Sequence, residues 1–310
     1  MSETVGEYLI AQPAFRRLIG ANMRLHQLWT GAAWAEGPVY FRDGDHLLFS
    51  DIPNNRILRF IPDLSGLQGT VSVYRQPANH TNGHTRDREG RLVSCEHGGR
   101  RVSRTELDGS ITVLADRWRG KRLNSPNDVV VKSDGTVWFT DPPYGILTDL
   151  EGWKAEPEYG GCHVFRLDPA TGALEAVCTD FVKPNGLAFS PDEKLLYVAD
   201  TGASHDPDGP RHIRVFEVSE DNGLKGGRVF ATAEAGLFDG FRCDTEGRVW
   251  TSARDGVHCY APDGELLGKI LVPEVVSNVC FGGLKKNRLY ICGTTSLYAV
   301  LTHVNGAQRP

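Results

Sequence analysis

The sequence predicts an all-β fold: a six-bladed β-propeller closed by an N-terminal strand that completes the last blade. Three observations carry this. A short unit recurs six times, opening on Glu36, Asn82, Asn127, Asn185, Asp239 and Asn278 at intervals of 46, 45, 58, 54 and 39 residues, the period of four-stranded blades with unequal loops. Each opener leads through an apolar strand and an Asp/Gly-type turn into a second apolar strand, which ends 14 or 15 residues on at Asp51, Glu96, Asp141, Asp200, Ala253 and Gly293. The sixth unit runs out after three strands, while a solitary strand-like stretch, Leu25-His26-Gln27-Leu28-Trp29-Thr30-Gly31, precedes the first. Joining the two closes a ring and removes the open sheet edges of a linear array.

In chain order, residues 1–24 read as a lead-in with a helical turn or two packed on the domain, and residues 25–310 as one propeller domain. The first blade takes Val39-Tyr40-Phe41, the turn Asp43-Gly44-Asp45, the stretch 46–51, then 56–60 and 71–74. The second takes strands at 91–95, 101–104 and 111–114 after its opener. The third uses 128–131, 136–140, 162–167 and 174–178, with a long insertion at 142–161. The fourth runs from Gly186-Leu187-Ala188-Phe189 to Arg228-Val229-Phe230-Ala231 and carries a smaller insertion around 204–209. The fifth is compact and ends in 266–271; the sixth has 279–281, 288–292 and 296–301. Long loops of repeat folds gather on one face and carry function.

A length of 310 residues suits two ordinary domains or one large all-β domain, and the repeat decides for one. A formal charge of −5 leaves no basic footprint, so no nucleic acid or anionic membrane is expected and the partner is a small molecule. Seven cysteines is an odd count without Cys-x-x-Cys, and Cys95, Cys243, Cys280 and Cys292 fall inside apolar strand patterns, as expected in a reducing compartment. The first twenty residues hold Glu3 and Glu7, lack a basic start and break at Gln12-Pro13. Neither a signal peptide nor a membrane span is expected there, and the expected location is cytoplasmic.

The first strand of each propeller blade lines the central channel, so the six openers face one another at one level. Two carboxylates, Glu36 and Asp239, and four amides, Asn82, Asn127, Asn185 and Asn278, then crowd hard oxygen atoms into a small space. Two unpaired carboxylates in a narrow channel are costly without a counter-charge, which one divalent cation supplies. Oxygen-only donors suit Ca2+ best, and Zn2+, Mg2+ and Mn2+ also accept carboxylates. Asn82-Gly83, Asn185-Gly186 and Asp239-Gly240 also fit tight turns, but a turn requirement explains neither Glu36 nor Asn127 followed by Asp128. The second register, Asp51, Glu96, Asp141 and Asp200, reads as caps for backbone amides rather than as catalytic acids.

The runs Trp34-Ala35-Glu36-Gly37-Pro38, Ser125-Pro126-Asn127-Asp128-Val129, Asp141-Pro142-Pro143-Tyr144-Gly145, Lys183-Pro184-Asn185-Gly186-Leu187-Ala188-Phe189-Ser190 and Phe238-Asp239-Gly240 resemble, in this order, the senescence-marker-protein-30/gluconolactonase family. The similarity spans about residues 34–300. It implies a six-bladed propeller with one catalytic divalent ion in the channel and hydrolysis of sugar lactones, or of organophosphates as in some relatives. By the resemblance, Glu36, Asn185 and Asp239 are metal ligands, Asn127 contacts metal and substrate, Asp239 is also the general base, and Asn278 matches a position used by the organophosphate hydrolases. One departure is Ser125, where the animal lactonases carry Arg. Hydroxyl recognition then falls to Arg122, Tyr144, His97 or Arg254.

The implied reaction is metal-assisted attack of water on a lactone carbonyl, giving the aldonic acid. A carboxylate on a cation is a weak base, so His80 and His84, which flank Asn82, and His97 are alternative proton acceptors near the channel mouth. No Gly-x-Ser-x-Gly elbow or phosphate-binding glycine loop occurs. The competing readings are a phosphotriesterase or arylesterase on the same metal, and a binding propeller whose ion is structural.

Overall fold

The computed structural model describes residues 3–5, 7–20 and 23–309. Six antiparallel sheets form the blades, and each inner strand begins within two residues of an opener. The inner strands are Ala35–Phe41, Thr81–Arg86, Val129–Val131, Pro184–Phe189, Phe241–Cys243 and Val276–Gly282. The sixth sheet takes its outer strand from the other end of the chain: His26–Thr30 pairs antiparallel with Ser296–Leu301, Leu297 opposite Trp29. The ring is thereby closed by hydrogen bonds between the two ends of the propeller.

Strand alternation builds the contacts between blades. Within His46–Asp51, Leu47 and Phe49 point into the core shared with the sixth blade, and Leu48 into the core shared with the second. Val137 and Phe139 face the second blade while Trp138 faces the fourth. Among the described residues, the buried apolar side chains fall into six clusters, one at each junction between neighbouring blades.

The lead-in holds the expected helical turn packed on the domain and adds two strands. Tyr8–Ile10 pairs with Leu266–Leu271 as a further strand on the fifth blade, Glu3–Val5 pairs outside it, and among the described residues of the lead-in the helical content is a single 3-10 turn at Pro13–Arg17. Phe15 of that turn is fully buried against Trp250 at 6.1 Å between ring centroids, so burial of Tyr8, Ile10, Phe15, Leu18 and Ile19 fastens the segment. Alternate apolar residues in Tyr8–Ile10 suit a strand as well as a helix, and the free edge of the fifth sheet decides. No helix among the described residues is long and apolar enough to cross a membrane, and all seven cysteines are unpaired.

Candidate active site in the propeller channel

The openers are re-aimed by the backbone. In four blades the inner strand slips register against its neighbour around the opener, between Glu36 and Val39, Thr81 and His84, Pro184 and Leu187, and Val276 and Asn278. Such bulges turn a side chain off the pleat. Asn127 and Asp239 stand just ahead of their inner strands, held by Asn127 N–H to Thr140 O at 2.9 Å and by Asp239 N–H to Ser252 Oγ at 2.9 Å.

The glycines beside the openers make no tight turns. A Cβ on Gly186 would lie 2.0 Å from Asp239 O, and one on Gly83 2.6 Å from Asn127 O. Inner strands of neighbouring blades approach so closely at this level that a side chain has no room, which corrects the turn reading of Asn82-Gly83, Asn185-Gly186 and Asp239-Gly240.

A cavity of about 300 Å³ opens at this level, and Glu36, Asn82, Asn127, Asn185 and Asp239 line it together with Tyr144, Glu151, Thr201 and Arg254. That is the small end of the range for ligand pockets. A second cavity, about 290 Å³, lies at the other ends of the inner strands by Val131, Phe189 and Arg242, away from the openers.

The amide nitrogens of Asn82, Asn185 and Asn278 each meet a neighbouring side chain. Asn278 Nδ2 donates to Glu36 Oε2 at 2.9 Å while its own Oδ1 accepts Val279 N–H at 2.8 Å, so Asn278 serves Glu36 from outside the cavity lining. Asn185 Nδ2 lies 3.4 Å from Thr201 Oγ1, and Asn82 Nδ2 lies 3.2 Å from His97 Nε2. The Asn185 amide also hydrogen-bonds Asp239 within the cavity, and both amide oxygens stay free of protein donors among these contacts.

Charge is unbalanced here. Burial first, then Asp128, pushes the Glu36 carboxyl well above the usual carboxylate range. Burial, then Glu36, Asp128 and Glu151, does the same to Asp239. Arg242 eases Glu36 but pairs with Asp128 at 3.3 Å, both side chains almost fully buried. Among the described residues no group of three or more His, Cys, Asp and Glu side chains is arranged to hold a metal ion. Any ion at this level therefore needs the amide oxygens as well as the two carboxylates.

The histidines divide. His84 is buried between Ser50 Oγ and Ser94 Oγ, 2.8 Å from each, and burial lowers its pKa to about 3. His80 meets Ile52 O at 2.9 Å and the edge of Trp153. Both lie outside the cavity lining: alternation alone would put them on the face of Asn82, and the register slip between Thr81 and His84 turns them into the blade instead. His97 also lies behind the lining, where burial lowers its pKa to about 4. Its place as a substrate contact is corrected to a contact of Asn82.

Tyr144 and Arg254 do line the cavity. The Tyr144 hydroxyl lies 2.7 Å from Thr201 Oγ1 and 2.9 Å from Ser204 Oγ. Arg122 is outside the lining and donates to Gly99 O at 3.1 Å. Ser125 lies outside it too: its hydroxyl donates to Pro142 O at 2.7 Å and accepts Gly145 N–H at 2.9 Å, clipping the start of the insertion.

In the second register, Asp51 accepts Ala33 and Trp34 N–H, Asp141 accepts Asn124 N–H, and Asp200 accepts Val182 and Lys183 N–H, as expected of caps. Glu96 differs: its longer side chain reaches Arg101, Ser103 and the Asn79 amide instead. Sequence reasoning missed Thr201 and Glu151. Thr201 had a signal, since His97, Thr201 and Arg254 each follow the second-register residue of their blade; His97 and Thr201 meet their own opener and Arg254 lines the same cavity. Glu151 comes from the 142–161 insertion, which has no counterpart in the repeat.

Fold and site together define a class: six-bladed propellers with a small-molecule pocket of acids and amides at one mouth of the channel. The chain belongs to the SMP-30/Gluconolactonase/LRE-like family, whose region matches residues 34–295. It is 33% identical to a gluconolactonase of Zymomonas mobilis over 98% of this chain and 88% of that one. With the pentonolactonase XacC of Haloferax volcanii it shares 30% identity over 84% of this chain and 82% of the other. A solved gluconolactonase structure from Xanthomonas campestris superposes with a TM-score of 0.87 at 38% identity, covering 94% and 93% of the two chains.

Proposed function

We propose that this protein hydrolyses sugar lactones to their aldonic acids, with one divalent cation held by Glu36, Asn127, Asn185 and Asp239. The observation that carries the reading is the convergence of these four residues, one from each of four blades, on one cavity. Relatives named for gluconolactone and pentonolactone hydrolysis support the substrate class. The donor set fits a hard cation: two buried carboxylates that resist ionising together, beside an Asn185 amide whose nitrogen is held by Thr201 and Asp239. Ca2+ suits such oxygens best. When bound, the cation supplies positive charge at the lactone carbonyl and makes ionisation of both acids favourable.

The chain's own residues do the rest. Asp239 takes the proton of the attacking water as the new C–O bond forms, and returns it to the ring oxygen as the lactone C–O bond breaks. Asn127 orients the carbonyl end of the substrate. Tyr144, Arg254 and Glu151 line the cavity within reach of ring hydroxyls. Val275, Val276 and Leu237 supply an apolar wall against the sugar's C–H face and limit the water that enters.

The testing experiment is a panel of hexono- and pentonolactones, aryl esters and phosphotriesters assayed with Ca2+, Zn2+, Mg2+ and Mn2+. Lactones should be the best substrates. A preference for aryl esters or phosphotriesters would transfer the same residues to that chemistry, and inactivity on every member would favour a binding propeller.

A further inference from the structure

We infer that His97 is a positioning residue: one tautomer of its ring, selected by the 142–161 insertion, turns the Asn82 amide so that its oxygen faces the pocket. His97 Nδ1 lies 3.2 Å from the backbone carbonyl oxygen of Glu151. A carbonyl can only accept, so Nδ1 carries the hydrogen. A neutral imidazole has a single N–H, which leaves Nε2 as a bare acceptor. Nε2 sits 3.2 Å from the Asn82 amide nitrogen, and only an N–H can satisfy it. The reversed amide would set two lone pairs against each other. Asn82 therefore gives its NH2 to His97, and its Oδ1 is left for the cavity it lines.

Packing holds the ring in place. His97 is fully buried, and Gly145 passes so close that a Cβ there would lie 2.4 Å from His97 Cβ. The His97 N–H to His80 O bond of 3.1 Å fixes the backbone beneath. The fourth blade repeats the device with other atoms: Thr201 Oγ1 donates to Lys183 O at 3.1 Å, so its lone pair meets the Asn185 amide nitrogen. In both blades the residue after the second-register acid holds the nitrogen end of the opener's amide. The insertion is thus tied to the pocket through one ring. The consequence, that Asn82 Oδ1 accepts a hydrogen bond from a substrate hydroxyl, rests on the lactone reading above.

The tautomer can be read directly in the intact protein. Long-range 1H–15N spectra of 15N-histidine-labelled protein, with His97 assigned by its loss in His97→Gln, should give the Nδ1–H form; an Nε2–H form overturns the proposal. This result does not depend on activity, so it stands apart from any failure of the lactone reading. In kinetics, His97→Phe should lower kcat/KM on the order of 10–100-fold, the usual loss on removing a supporting partner. His97→Gln, which can donate to Glu151 O and accept from Asn82, should stay within a few-fold of wild type. If Phe retains activity and Gln does not, ring packing rather than hydrogen-bond polarity is the role of His97 and the proposal falls.

Discussion

Asn278 donates to Glu36 across the seam where the sixth blade meets the first, at 2.9 Å between residues 242 positions apart. The bond ties ring closure to the site, because the side chain that steadies Glu36 stands on the sheet that His26–Thr30 completes. It also favours the ionised form of Glu36 against the burial that opposes it. Asn278→Ala should therefore lower kcat/KM on the order of 10–100-fold, as supporting partners of a site do. Unchanged kinetics with a folded variant would show that Glu36 needs no such support.

Close approach of the inner strands makes the glycines at this level selective. Gly186→Ala would set a methyl 2.0 Å from Asp239 O and 2.9 Å from Gly240 Cα, both backbone atoms that cannot swing aside. Urea unfolding should report a loss of at least the ~1–3 kcal/mol typical of overpacking. Gly160→Ala has open space around it and should stay within about 0.5 kcal/mol of wild type.

Acid should weaken the fold through its buried histidines. Burial lowers His84 from the ordinary 6.5 to about 3 and His97 to about 4. The unfolded chain then binds protons that the folded chain refuses. The stability these rings contribute is fully present above about pH 6.5 and is lost as pH falls toward 4. Each ring should steepen that loss by up to about 1.4 kcal/mol per pH unit. Unfolding free energies measured from pH 7 to pH 4 should show this, and His84→Gln should flatten the curve.

The second-register acids should separate stability from chemistry. Asp51 is fully buried and accepts from Ala33 N, Trp34 N, Asn54 Nδ2 and Arg56 Nε. Asp51→Ala strands these donors and should cost at least ~1–3 kcal/mol in denaturant, with kcat at 25 °C nearly unchanged. A large fall in kcat in the folded variant would move Asp51 into the chemistry.

The propeller and the level of the site are legible in the sequence because both rest on period. Six openers in phase identify inner strands, and three strands left over at one end with one at the other identify the closure. What period cannot carry is the local detail. The register slips that re-aim Glu36, Asn82, Asn185 and Asn278 depend on backbone geometry between strands. His80 and His84 look close to the channel in sequence yet turn into the blade, because neighbours two apart share a face that the bulge at Asn82 reverses. Asn278 counts as an opener by phase, and only its place behind Glu36 separates it from those that line the cavity. Glu151 arrives on a loop outside the repeat, so nothing periodic points to it.

The central claim is that Glu36, Asn127, Asn185 and Asp239 form a cation-dependent lactone-opening site. Its most direct test is gluconolactone hydrolysis by EDTA-treated protein as a divalent ion is returned, wild type beside Asp239→Asn. Depletion should abolish hydrolysis, the returned ion should restore it, and folded Asp239→Asn should lose most of the rate. Full activity without any divalent ion, or full activity of Asp239→Asn, would contradict the claim.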